Sequence, residues 1–507
     1  AIDTRMEIEQ GESQTKNQQS VEPYFSETKT SFPGHVENNY NDFNQQPLLH
    51  HFLSTEGPAI AIGDVNGDGR EDIFSGAAKG YAAQILLQDR NGEFGEGDES
   101  AFVKDQEAED VDAIFFDADG DKDLDLYVVS GGSENAASAA ALQDRLYINN
   151  GSGKFTKAEN ALPEMQVSGG VVAPADIDGD GDIDLFVGTR QSPGNYPEAS
   201  PSFLLINDGK GKFTAEEHPR WQKMGMITDA AWTDLNGDEL QDLVFVGDWE
   251  AVRYWINGSD EFASLPNSEG WWNSLRLEDM DGDGDMDIIA GNLGLNSQIK
   301  ASPEEPVEIF YKDFDNNSAI DPILCYYIEG KSYPMLSKDD LLAQLPMLKS
   351  RYVKYEDYAD QQFQDIFTEE ERKEVNALKA VELRSLYFEN NGELKFDQKA
   401  LPLEAQVSPI YAIEVLDINA DGHKDLLLGG NLYGTRVKFG RYDANHGVVL
   451  LGDGSGNFSA LSPLKSGLDV EGETRAIRIL DKDAANPRLL IGRSNLPLKL
   501  YEFRPIP

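Results

Sequence analysis

The sequence predicts an all-β fold, a β-propeller of seven or eight blades, and three observations carry that prediction. A nine-residue loop rich in Asp, Asn and Gly recurs seven times, each copy between two apolar runs. Tight Asn-Gly and Asp-Gly turns recur between further apolar runs, a strong hairpin signal because Asn and Gly accept positive φ. The loops open at Asp64, Asp117, Asp176, Asp234, Asp279, Asp313 and Asp417, at steps mostly near the roughly 40–50 residues of a four-stranded blade.

The unit reads strand, acidic loop, second strand ending in small residues, third strand, tight turn, fourth strand. Residues 59–63, the loop 64–72, Ile73-Phe74-Ser75-Gly76, Ile85-Leu86-Leu87, the turn Asp89-Arg90-Asn91-Gly92 and Phe94 give one copy. The third strand and its turn return at Leu146-Tyr147-Ile148 with Asn149-Asn150-Gly151, and at Leu204-Leu205-Ile206 with Asn207-Asp208-Gly209. Counting first strands gives eight. Seven follows if the loop at Asp313 joins the third and fourth strands of the preceding blade. The short step from Asp279 to Asp313 implies a blade lacking its outer strands, and the long step to Asp417 an insertion. Residues 337–383 supply it, with Leu341, Leu342, Leu345 and Leu348 at helical spacing. Tyr352, Tyr355 and Tyr358 extend that stripe as packing residues.

Residues 1–46 are polar, without apolar periodicity, and read as linker or tail. The propeller spans 47–507. Three further runs, 476–480, 489–492 and 498–501, form a last unit whose loop Asp481-Lys482-Asp483 lacks the later acidic positions. Its fourth strand is assigned to 47–53, so that both chain ends close the ring and no sheet edge is left open.

Each loop follows the pattern Asp-x-Asp/Asn-x-Asp/Asn-x-x-x-Asp. Position 1 is the opening Asp. Position 3 is Asn66, Asp119, Asp178, Asn236, Asp281, Asp315 or Asn419, and position 5 is Asp68, Asp121, Asp180, Asp238, Asp283, Asn317 or Asp421. Position 9 is Asp72, Asp125, Asp184, Asp242, Asp287, Asp321 or Asp425. Ca²⁺ is a hard cation that takes about 6–8 oxygen ligands, and these side chains supply them. Position 7 is Arg70, Asp123, Asp182, Leu240, Asp285, Ala319 or His423, chemistry too mixed for anything but a backbone carbonyl donor. His423 is therefore no transition-metal ligand, since its neighbours are all oxygen donors. Position 4 must turn sharply and is Gly in five copies, with Asn316 and Ala420 as exceptions. Polar turns without metal are the alternative, and it fails on charge: carboxylates crowded into nine residues repel unless a cation neutralises them. About seven Ca²⁺ sites are expected. They read as structural, because no His or Lys sits at a fixed offset from the loops.

Composition agrees. The chain carries 43 Lys plus Arg against 91 Asp plus Glu, a net charge of -48, which repels nucleic acid and anionic lipid. Apolar residues at 40% exclude a disordered acidic protein. No apolar run is long enough to span a bilayer, and the single Cys325 forms no intrachain disulfide. The chain opens at Ala1 with neither a basic-then-apolar leader nor a cysteine for a lipid, so it is read as a processed form or a piece of something longer.

The loop-plus-strand unit resembles the FG-GAP/VCBS repeat of integrin α-subunit propellers, and residues 176–185 are a close match to its calcium loop. A narrower resemblance rests on residues 53–58, 270–275, 290–296, 301–306 and 440–444. It is to the C-terminal half of secreted bacterial FG-GAP/VCBS proteins that often carry an ASPIC/UnbV module. That resemblance implies an extracellular or cell-surface location, on the outer face of the outer membrane, sometimes beside nutrient transporters. It implies no known reaction.

Two functions compete. One is a non-catalytic, calcium-stiffened recognition or scaffold module whose partner is a surface protein or glycan, such as an outer-membrane transport complex. The other is a calcium-dependent polysaccharide-active enzyme, lyase or hydrolase. Trp249, Trp271, Tyr433, Arg436, Arg441, Tyr442 and His446 are the candidate ligand-binding residues, expected around one mouth of the channel. Aromatics and Arg in loops suit recognition, and packing between blades is the competing role. Arg441, Tyr442 and His446 are the one cluster that could serve an enzyme. No catalytic residue is assigned.

Overall fold

The structure is a computed structural model that describes residues 22–482, 484 and 486–504. The repeats fold into eight four-stranded antiparallel sheets. The third is representative, with Gly169–Ala175, Asp184–Thr189, Phe203–Asn207 and Phe213–Ala215 in that order. Its second strand is buried along its whole length because each blade is covered on both faces. Leu185 and Val187 pack toward the preceding blade with Tyr127 and Val129, while Phe186 packs toward the following one with Phe245 and Trp255. Period-2 alternation thus feeds two cores, and the run is apolar throughout.

Seven first strands line the axis: Ile60–Gly63, Asp110–Phe116, Gly169–Ala175, Met226–Thr233, Ser274–Glu278, Ile410–Leu416 and Glu473–Leu480. Each touches the next, and the last touches the first. The closed ring therefore takes seven of the eight sheets, around a channel of about 640 Å³. The eighth sheet, ordered Lys331–Pro334, Asp321–Ile328, Val307–Lys312, Asn376–Ala380, is inserted into the fifth blade. That blade's first two strands, Ser274–Glu278 and Asp287–Gly291, precede the insertion, and its outer strands, Leu386–Asn390 and Phe396–Ala400, follow it. The uneven loop spacing has this cause. The outer strands are displaced along the chain, not missing, and the Asp313 loop joins the two central strands of the inserted sheet.

The insertion is more than the helical segment expected from the leucine stripe. Its helices are short, Lys338–Gln344 and Phe363–Ile366, and 376–380 is strand. Ser337 caps the first helix: its Oγ accepts the Asp340 N–H at 3.1 Å, and the Asp340 carboxylate accepts the Ser337 N–H at 3.3 Å. The inserted sheet is apolar on both faces. Ile323 and Cys325 pack with Leu341, Leu345, Leu348, Tyr352 and Phe363 under the helices, whereas Ile309 and Leu324 face the ring beside Trp249, Trp271 and Leu432. Tyr352 packs as expected, but Tyr355 is exposed.

Closure also differs from expectation. The outer strand of the last blade is Phe25–Thr28, paired antiparallel with Lys499–Phe503, and the Phe25 and Phe503 rings stack at 5.1 Å. The linker assignment is thereby corrected from Phe25 onward; residues 1–21 lie outside the described residues, as does Asp483 of the last loop. Residues 47–53 instead belong to a strap, 42–56, that crosses the channel mouth beneath the inserted sheet. Asp42 anchors it, accepting the Leu53 N–H at 3.1 Å, the Ser54 hydroxyl at 2.6 Å and the Ser133 hydroxyl. Among the described residues no helix is long and apolar enough to cross a membrane.

Candidate metal centres

Each first strand runs along the axis into its acidic loop, so the loops of blades one to six stand at one end of the ring. The strap closes the other end. The seventh acidic loop, 313–321, lies in the inserted sheet. All seven share one hydrogen-bond scheme. The position-1 carboxylate accepts the N–H of position 6: Gly69, Lys122, Gly181, Glu239, Gly284, Ser318 or Gly422. The position-5 side chain accepts the N–H of position 7 in every copy. These bonds wrap the backbone around the acidic side chains and require two left-handed residues. Position 4 has positive φ throughout, from Ala420 at 55° to Gly120 at 81°. Position 6 does too, including Lys122 at 77°, Glu239 at 68° and Ser318 at 69°. A non-Gly residue there costs about 1 kcal/mol. The sequence reading found position 4 and missed position 6, although four of its seven residues are Gly.

Position 9 is the structural hinge of the site. Asp72, Asp125, Asp242, Asp287, Asp321 and Asp425 are fully buried and Asp184 nearly so. One oxygen accepts the N–H of position 2, at 2.8–3.2 Å across the seven loops. The other accepts a backbone N–H of the third strand or its end, from Gln88, Asn149, Asn207, Asn257, Asn390 or Gly452, each at 2.8 Å. In the inserted sheet the Gln344 side chain takes that place, donating to Asp321 at 2.6 Å. Burial pushes Asp72, Asp125, Asp287, Asp321 and Asp425 up to about 6, opposed by these same N–H donors. A nearby cation would reverse that shift.

The loops converge as coordination requires. In four of them positions 1, 3 and 9 bring carboxylate oxygens within 4.8 Å of one another: Asp117, Asp119 and Asp125; Asp176, Asp178 and Asp184; Asp279, Asp281 and Asp287; Asp313, Asp315 and Asp321. These four clusters could each hold a metal ion. The other three loops share the backbone scheme but carry Asn66, Asn236 or Asn419 at position 3. An all-oxygen donor set of this kind suits a hard cation. At position 7, Leu240 is half exposed and Arg70 pairs with Asp68 of its own loop.

Sequence reading also missed the third-strand asparagines, taken there only as turn residues. The Asn149 amide reaches the Val65 carbonyl of the preceding blade's loop at 2.7 Å. Asn207 reaches Ala118 at 3.0 Å, Asn257 reaches Ile177 at 3.3 Å and Asn390 reaches Leu235 at 3.3 Å. Four of the seven acidic loops, at 64, 117, 176 and 234, are thus tied to the next blade in the ring.

The candidate ligand-binding residues gather at the strapped end but do not form an open mouth. Trp249 and Trp271 meet edge-on at 4.9 Å, both buried with Tyr442 beneath the inserted sheet. Trp249 donates to the Tyr196 hydroxyl at 2.6 Å, and the Tyr442 hydroxyl lies 3.0 Å from Ser297 Oγ. The expectation of a ligand-facing role is corrected for these three, which are packing residues. Arg436 ties the strap to the insertion, donating to the Leu49 carbonyl at 2.7 Å and pairing with Asp340 at 3.4 Å. Arg441 lies over the half-buried Tyr433 ring at 5.0 Å, and His446 meets Asp469 at 3.1 Å. Arg441 and His446 are exposed while Tyr442 points inward.

Fold and loops together define a β-propeller with acidic loops of metal-binding type. A family model described as an FG-GAP-like repeat matches residues 64–128, 117–187 and 234–290, so the chain carries FG-GAP-like repeats in three places. No curated protein matches the chain at a significant level. Similar solved structures include a lectin from Agrocybe aegerita that recognises non-reducing terminal N-acetylglucosamine, with 14% identity, 82% of this chain and 81% of that one covered, and a TM-score of 0.42. The V. cholerae biofilm matrix protein Bap1 shows 12% identity over 95% of this chain and 91% of its own, with a TM-score of 0.39. The Dos1 propeller shows 9% identity, 91% and 96% coverage and a TM-score of 0.40. Likeness this distant transfers no ligand or activity to the present chain.

Proposed function

We propose that this chain is a non-catalytic recognition or scaffold module, stiffened by Ca²⁺ at its seven acidic loops and working outside the cytoplasm. The observation that supports it most is the shared loop geometry. Seven loops of differing sequence adopt one backbone path, and in four of them three Asp carboxylates converge within 4.8 Å. Such crowding of like charge is stable only when a cation sits among the oxygens. Extracellular calcium modules bind with Kd about 10⁻⁴–10⁻³ M, which places the loaded form where calcium is near millimolar. The narrower resemblance, to secreted bacterial FG-GAP/VCBS proteins, supports a cell-surface partner, protein or glycan, of the kind found beside outer-membrane transporters.

The test is metal analysis after dialysis against calcium, joined to a screen of surface glycans with calcium present. Several equivalents of bound calcium and no depolymerisation are expected. A chain that holds no calcium, or one that cleaves a glycan, would overturn the reading.

A further inference from the structure

Resting on the reading of the seven loops as calcium sites, we infer that the acidic loop of the inserted sheet is also a calcium-dependent clasp. A cation held by Asp313, Asp315 and Asp321 fastens the end of the helix Lys338–Gln344 through the Gln344 side chain. Two departures from the ring loops carry this. The first is at position 3. In all six ring loops the position-3 side chain accepts the position-5 N–H, at 2.9–3.3 Å. In the inserted sheet the position-5 N–H of Asn317 goes to Asp313 instead, at 3.0 Å. Asp315 Oδ1 is left buried with no hydrogen bond among the described residues, yet Asp315 offers a carboxylate oxygen within 4.8 Å of those of Asp313 and Asp321. The protein backbone that sets this ligand in the ring does not set it here.

The second departure is at position 9. In the ring a backbone N–H of the third strand or its end fixes one oxygen of the buried Asp. In the inserted sheet the third strand Lys331–Pro334 pairs only with residues 325–328, and the chain leaves at Ser337 to start the helix. Gln344, the last residue of that helix, takes the empty place and donates from Nε2 to Asp321 Oδ1 at 2.6 Å. A strand N–H stays put whether or not an ion is bound. A side chain on a helix of seven residues does not, because so short a helix is unstable on its own. The order of the helix end and the geometry of the ligand set therefore depend on each other. Without a cation the three carboxylates repel and draw Asp321 off the Gln344 amide; with one, Asp321 is held where the amide reaches. By linkage, a docked helix raises the affinity of the loop for its ion in the same proportion.

The clasp closes the outer cover of the inserted sheet. Leu341, Leu345 and Leu348 lie over Ile323 and Cys325 of the strand Asp321–Ile328 that follows the loop. The first turn of the helix is held without an ion, since Asp340 pairs with Arg436 at 3.4 Å and with Lys438 at 3.6 Å. The cation thus acts on the last turn and on residues 345–352 after it, not on the cluster of Trp249 and Trp271 on the opposite face of the sheet.

Hydrogen exchange of the intact chain, followed by mass spectrometry across a calcium titration, reads each loop and the helix separately. Residues 341–352 are expected to gain protection with the same calcium midpoint as the loop 313–321. Gln344→Leu should raise that midpoint by about tenfold or more and uncouple residues 341–352 from calcium, with the six ring loops unchanged. Asp315→Asn is the second variant should the first fail to fold, since no protein hydrogen bond is lost at Oδ1; it too should raise the midpoint of both segments. If the ring loops respond to calcium while residues 341–352 exchange alike with and without it, the clasp is overturned and the calcium reading stands. A parent midpoint in either variant also overturns the clasp. Silence at all seven loops overturns the calcium reading and the clasp with it.

Discussion

The two ends of the propeller are built by opposite rules. At the loop end every functional side chain lies within nine residues of its partners, and its geometry is set by local N–H bonds to Asp carboxylates. At the strapped end the packing cluster draws Leu49, Tyr196, Trp249, Trp271, Ile309, Leu324 and Tyr442 from all along the chain. The first end repeats and depends on charge. The second is unique and depends on apolar burial. A repeated local motif can serve as a metal end because each copy needs only its own backbone, whereas a cap has to be assembled once from distant parts.

Removing calcium should break the first end and spare the second. At about 1 mM calcium and a Kd of about 0.1 mM, each site stabilises the fold by roughly 1.4 kcal/mol. Seven independent sites approach roughly 10 kcal/mol, comparable with the whole stability of a typical domain. A chelator should therefore lower the unfolding temperature by more than about 10 °C in a calorimetric scan. An unmoved transition, with no calcium by metal analysis, would erase the difference between the ends.

Trp271→Ala should cost about 3–5 kcal/mol through the cavity it leaves, by the same amount with and without calcium. Denaturant titration in the two conditions checks this. A cost that vanishes on chelation would mean that the ends are one cooperative unit.

Asp184→Ala removes a proposed ligand and strands the Ile177 and Asn207 N–H groups, at roughly 2–4 kcal/mol. Leu240→Ala, at a carbonyl-donor position, should stay within about 0.5 kcal/mol, and His423→Ala should behave alike. Equal losses at positions 7 and 9 would refute the assignment of backbone and side-chain ligands.

The pH response sharpens the contrast. Burial raises all seven position-9 carboxyls, those of Asp72, Asp125, Asp287, Asp321 and Asp425 to about 6, so the folded state holds their protons more tightly than the unfolded chain. That stabilisation is present at low pH and is lost as pH rises through about 6. In chelator the protein should melt higher at pH 5 than at pH 8, and saturating calcium should abolish or reverse the order. A chelated protein that melts higher at pH 8 would contradict the burial of these groups.

The sequence by itself determined the repeat, the strand order within a blade, the position of each acidic loop and the Asp or Asn at its positions 1, 3, 5 and 9. Those features are legible because each is set by residues a few places apart: the turn needs Gly or Asn, and the cation needs Asp. Position 6 escaped because Lys122, Glu239 and Ser318 hold positive φ only under the pull of the position-1 carboxylate. Only the tertiary structure decided how many sheets close the ring, that Phe25–Thr28 supplies the last strand, and that the 47–53 segment is a strap. It alone decided that Trp249, Trp271 and Tyr442 are buried under an inserted sheet. An apolar stretch announces that it will be buried, but its partner is chosen by the shape of the whole ring, which no local pattern encodes.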